Sequence, residues 1–132
     1  MEKIPVTLTT HYKEKPVGPD IPFGVIMTDH MFLMNYDPEH GWHDGRIVPY
    51  APFVLDPACV IFHYAQEIFE GMKAYRDAEG KIRLFRPEEN FKRMNNSCER
   101  MSIPQIDVDY CVEAAKQLVT LEKDWVPSAP NT

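Results

Sequence analysis

Two stripes of helical period close this chain, and every strand-like segment comes before them. In the run RPEENFKRMNNSCERM, Phe91, Met94, Cys98 and Met101 return to one face of a helix. Arg86-Pro87 opens that helix, and Glu88 and Glu89 place negative charge at the positive end of its dipole. After Pro104, Asp107 caps a further helix whose Val108, Cys111, Val112, Ala115, Leu118 and Val119 also recur at helical spacing. Strands first and helices late predict an α+β fold, an antiparallel sheet with flanking helices, rather than alternating βαβ units.

The earlier segments are short and heavily punctuated. Lys13 to Pro22 reads as an irregular stretch, so residues 1–22 are assigned to an N-terminal arm and residues 23–132 to a small domain. Met31 to Tyr36, MFLMNY, suits a buried strand. Asp37 to Gly45, DPEHGWHDG, is turn chemistry. Arg46 to Leu55 reads as extended chain broken by Pro49 and Pro52. Asp56-Pro57 is a helix start, and Ala58, Phe62, Ala65 and Phe69, flanked by Ile61, Tyr64 and Ile68, predict an enclosed helix ending near Gly71. Met72 to Arg76 and Lys81 to Phe85 around Asp77-Ala78-Glu79-Gly80 predict a hairpin. The last helix runs into Lys123-Asp124-Trp125-Val126, and the closing SAPNT reads as the beginning of a connection to a larger protein.

Composition removes several function classes. A chain of 132 residues, 44% hydrophobic, is one ordinary folded domain. A net charge of −6 without a basic cluster excludes a phosphate-tracking surface for nucleic acid and a patch for anionic lipid. Cys59, Cys98 and Cys111 are an odd set with no CxxC spacing, which reads as reduced thiols among apolar neighbours. MEKIPVTLTT has neither a signal core nor transit character, and no apolar run approaches bilayer length; the expected location is the cytoplasm.

Few constellations with catalytic meaning appear. There is no glycine-rich phosphate loop and no GxSxG elbow. His40 and His43 have a spacing that could share a metal, but with no partner ligand at a known spacing they read as part of a solvated loop, and no metal is assigned. Glu67 and Glu70 read as surface charges. Arg93 has two readings that spacing cannot separate: an exposed partner for Glu89 one turn earlier, or a guanidinium fork for a phosphate or carboxylate. Taken by themselves, Phe23, Tyr64 and Phe69 read as plain core.

HYAQEIFEGMKAYRD followed by IRLFRPEENFKRMNNSCERM resembles the pyridoxal-phosphate enzymes of aminotransferase class IV, specifically the branched-chain amino-acid aminotransferases. FGVIMTDHMFLMNYD and LEKDWVPSA are similar to the same family, in the same order. The resemblance runs from Thr7 onward and implies the smaller, N-terminal domain of a two-domain fold. It implies that Arg93, in Phe91-Lys92-Arg93-Met94, binds the phosphate of pyridoxal 5′-phosphate. It also implies that Phe23, Tyr64 and Phe69 line the pocket for the substrate side chain, with Tyr64 offered across a homodimer interface. Such rings supply about 0.8 kcal/mol per buried methylene, so leucine, isoleucine and valine would be accepted together.

The family's Schiff-base lysine lies in the larger domain. None of Lys3, Lys13, Lys15, Lys73, Lys81, Lys92, Lys116 and Lys123 stands in its context, so no catalytic residue is assigned in this chain. The expected parent exchanges amino groups between branched-chain amino acids and 2-oxo acids, its partners being those small molecules, a C-terminal domain and a second subunit. The chain alone is expected not to transaminate. Alternatives are a D-amino-acid aminotransferase, an aminodeoxychorismate lyase, or a non-catalytic α+β binding module.

Overall fold

The computed structural model describes residues 3–18 and 21–128. Strands β1 (His30–Asp37) and β2 (Gly41–Pro49) form one antiparallel ribbon, and β3 (Ala74–Arg76) and β4 (Ile82–Leu84) form another. Helices are α1 (Val60–Tyr64), α2 (Pro87–Met101) and α3 (Val108–Leu121), followed by a 3-10 turn at Lys123–Trp125. The fold is therefore α+β with antiparallel pairing, but the pairing is divided between two ribbons rather than gathered in one sheet.

The β1–β2 ribbon is bent over α3. Asp37 Oδ1 accepts from the amides of Glu39 at 2.9 Å and His40 at 2.8 Å, and Gly41 completes the turn at a φ of 68°. The Asp-Gly pair expected to end that turn makes a bulge inside β2 instead. Register jumps from Leu33↔Arg46 to Asn35↔His43, so Asp44 and Gly45 together face Met34, with Asp44 at a φ of 53°. A turn and a bulge both call for a residue that tolerates positive φ, and local sequence does not separate them. Gly45 is required there: a Cβ would lie 1.9 Å from the Tyr110 hydroxyl oxygen on α3.

The core is small. Ile4, Ile47 and Ala114 are buried together, with Phe32, Tyr110, Leu118 and Leu121 packed around them. Ile4 comes from the stretch assigned to the N-terminal arm. It is held because the Thr7 amide donates to the Ile47 carbonyl and the Ile47 amide to the Pro5 carbonyl, both at 2.9 Å, giving β2 a parallel neighbour. Of the irregular run Lys13 to Pro22, Pro19 and Asp20 lie outside the described residues, as do the last four of the chain.

A buried polar knot joins distant segments. The Thr9 amide donates to His30 Nε2 at 2.9 Å, so the His30 proton sits on Nδ1, facing Glu122 Oε1. Asp29 accepts from the Lys13 amide at 2.9 Å and the Trp125 indole at 3.1 Å. Burial pushes the Asp29 carboxyl up, but those two donors and the nearby Lys15 together outweigh it and hold the group below its usual range.

Helices α2 and α3 fall where periodicity puts them, with Pro87 in the first turn of α2 and Asp107 accepting from the Tyr110 amide at the start of α3. The helix expected from Asp56 to Gly71 does not form. Only Val60–Tyr64 is helical, none of it is buried, and Ala65 ends it at a φ of 48°. Asp56 instead accepts from the Ala58 amide at 2.7 Å in a tight turn. An isolated helix of this length is marginal without a packed face, and no layer among the described residues buries it. Met31 to Met34 are half-buried rather than fully enclosed, because one face of a two-stranded ribbon stays open. Among the described residues no helix is long and apolar enough to cross a membrane.

Candidate functional site

The segment Gln66–Gly71 lies along α2 in the opposite direction, tied at both ends. Gln66 Nε2 donates to the Met101 carbonyl at 2.9 Å, at the C-terminal end of the helix. Glu70 reaches its N-terminal half, where Asn90 Nδ2 donates to Glu70 Oε1 at 3.1 Å and to the Gly71 carbonyl at 2.8 Å. Asn90 thus meets a backbone carbonyl of the irregular segment, and Gln66 in return meets a carbonyl left open at the C-terminal end of α2.

Between these ties opens a cavity of about 370 Å³ lined by Ile68, Phe69, Arg93, Asn96, Ser97, Arg100 and Met101. The five helical residues follow one another at short helical steps, so they share one face of α2. One wall is thus apolar and the other carries two guanidinium groups.

Arg93 does not pair with Glu89. Its Nε donates to Glu70 Oε2 at 2.8 Å, and its Nη2 donates to Glu70 Oε1. Glu89 instead pairs with Lys92 at 2.8 Å and with Arg86 at 3.8 Å. The Glu70 side chain is 9% exposed and that of Arg93 67%, so the acid is the anchored partner and the guanidinium the accessible one. Glu70 is therefore no ordinary surface charge. Hydrogen bonding to Arg93 is the largest influence on its carboxyl, which falls to about 2 against the opposing effect of burial; Asn90 and the Gly71 amide assist. The same bond raises the Arg93 guanidinium above its ordinary value.

The structure brings Phe69 and Arg93 to one cavity; Phe23 and Tyr64 do not line it. All three rings stand in solvent, Phe23 at 99%, Tyr64 at 80% and Phe69 at 84% exposure, so they are not plain core in this chain. Sequence alone gives Asn90 and Arg100 no role and reads Glu70 only as a surface charge. The Glu70–Arg93 contact spans 23 residues and leaves no periodic signal. Arg100 follows Arg93 on the same face of α2, and its guanidinium has no hydrogen bond or ion pair among the described residues. Cys98 and Cys111 are buried free thiols, each pushed up by burial, Cys111 to about 11, so neither is a poised nucleophile.

No protein-family model matches the chain. Curated proteins do. It is 54% identical over 124 residues, 94% of its length, to a branched-chain-amino-acid transaminase 1 of Bacillus subtilis (strain 168). It is 47% identical over 131 residues to the branched-chain-amino-acid aminotransferase 2 of the same organism, and 45% identical over 107 residues to a branched-chain-amino-acid aminotransferase of Mycolicibacterium smegmatis. It covers 35%, 36% and 29% of those proteins respectively. In sequence the chain is thus similar to the branched-chain-amino-acid aminotransferases, of whose length it spans about a third.

Proposed function

We propose that this chain is the smaller, N-terminal domain of a pyridoxal-phosphate-dependent branched-chain-amino-acid aminotransferase, and that its contribution is to hold and shelter rather than to react. The observation that carries this is identity of 54% across 94% of the chain with a transaminase of that specificity. The side chains present suit the cofactor's phosphate. Arg93 keeps Nη1 free of the bonds that Nε and Nη2 make to Glu70, and Arg100 and the Ser97 hydroxyl share its cavity.

In this assignment Arg93 anchors the phosphate and Glu70 fixes the angle of the guanidinium. Phe69, Tyr64 and Phe23 form the apolar wall that takes the branched side chain and keeps water from it. Their exposure supports this role, since large rings left open here need a further surface to cover them. That surface is the remaining two thirds of the protein and, for Tyr64, a second subunit. When bound, the cofactor supplies the electron sink for amino-group exchange. The lysine partner comes from the portion of the relatives that this chain does not span.

Joining the chain to the remaining two thirds of the Bacillus subtilis transaminase 1 provides the test. Leucine, isoleucine and valine should all serve as donors to 2-oxoglutarate, and Arg93→Ala should weaken cofactor retention about tenfold or more. Unchanged retention in equilibrium dialysis would reject the role of Arg93. Preference for D-alanine over leucine would reject the assigned specificity.

A further inference from the structure

We propose that the tip of the β1–β2 hairpin is a divalent transition-metal site, with Asp37, His40 and His43 as its protein ligands and zinc as the ion that suits them best. One donor atom from each of the three lies within 4.8 Å of the others. His40 Nδ1 is 2.9 Å from Asp37 Oδ1, and His43 Nε2 is 2.7 Å from Asp37 Oδ2. The two imidazole rings, 5.5 Å apart between centroids, both converge on that carboxylate. Two neutral imidazoles and one carboxylate match zinc, whereas calcium and magnesium require oxygen donors throughout. Tetrahedral zinc with bonds of about 2.1 Å holds its donors about 3.4 Å apart. Each histidine's contact to Asp37 lengthens by less than about 1 Å to reach that spacing, and the two histidine donors start within 4.8 Å of each other.

The sequence pattern is D-x-x-H-x-x-H, and the hairpin turns it into a cluster. Asp37 ends β1 and pairs with Gly41, while His43 lies in β2, so two of the ligands stand on a hydrogen-bonded ribbon and only His40 belongs to the turn. The third ligand that the histidine spacing lacked is the residue that also closes the turn. His43 lies in a strand, not in a solvated loop. Trp42, between the two histidines, stacks edge-on against Tyr36 and donates to the Pro104 carbonyl at 3.2 Å, which fixes the tip against the α2–α3 connection.

A second layer points the same way. His43 Nδ1 lies 3.0 Å from Asp44 Oδ2, which holds the ring with Nε2 turned toward Asp37. A carboxylate behind a histidine is the usual support for a metal ligand, fixing both tautomer and ring angle. Asp44 can reach that position because the bulge turns its side chain, and Asn35 Nδ2, 3.4 Å away, steadies it. His40 is exposed while Asp37 and His43 are half-buried, so an ion can enter and keep water on its remaining position.

The test uses the whole chain carrying Cys59→Ser, because Cys59 is the cysteine that is not buried. Calorimetric titration with zinc and visible absorption with cobalt should each show one saturable equivalent. His40→Gln and His43→Gln should each weaken zinc at least tenfold, and Asp44→Asn about tenfold with one equivalent retained. His63→Gln, on another part of the chain, should change nothing. Because Asp37 also holds the turn, the histidine variants decide the matter, with circular dichroism confirming that they fold. Absence of saturable binding, or equal affinity in the His40→Gln/His43→Gln double variant, overturns the site.

Discussion

Glu70 holds Arg93 through both carboxylate oxygens, across 23 residues of chain, and so ties an irregular segment to the middle of α2. Because its folded carboxyl titrates near 2 rather than at the ordinary 4.5, the contact stabilises fully above about pH 4.5 and loses its contribution as pH falls toward 2. Carbon-detected NMR titration should find the Glu70 midpoint near 2 in the native chain and displaced upward in Arg93→Ala. A midpoint that stays put in that variant would show that Asn90 and the Gly71 amide suffice.

His30 and Glu122 are buried side by side, and the Thr9 amide occupies the other ring nitrogen. His30→Ala leaves a buried carboxylate without its donor and should cost about 3 kcal/mol or more in urea unfolding. A loss below about 1 kcal/mol would mean that the knot relaxes and admits water.

Gly45 has no room for a side chain beneath the Tyr110 ring. Gly45→Ala should destabilise by about 1–3 kcal/mol, as overpacking does. Combined with Tyr110→Ala it should cost less than the two single changes added together, since the second removes the clash. Strict additivity would place the strain elsewhere.

Ile4 and Ile47 share one small cluster although they come from well-separated parts of the chain. Each isoleucine replaced by alanine should cost about 2–5 kcal/mol. If Ile4→Ala unfolds at the same denaturant concentration as the parent, the N-terminal stretch is not part of the cooperative unit.

Helices α2 and α3, the β3–β4 hairpin and the first strand were legible in the sequence because their signals are local. Pro87 and Asp107 start helices through groups a few residues away, and Asp77 with Gly80 closes a turn by itself. The stretch from Asp56 to Gly71 was misread for the complementary reason: its apolar period is real, but a helix of that amphipathicity forms only where another layer receives it. Phe23, Tyr64, Phe69 and Arg93 were found through family resemblance, which carries no information about their neighbours in space.

The order of amino acids determined on its own the α+β class, the helix starts at Pro87 and Asp107, and the similarity to branched-chain-amino-acid aminotransferases. Tertiary structure decided which carboxylate meets Arg93, that Asp44-Gly45 bulges instead of turning, and that Asp37 stands between two histidines. Those outcomes depend on contacts between residues far apart in the chain or on the pairing of two strands, and such contacts exist only once the backbone has closed.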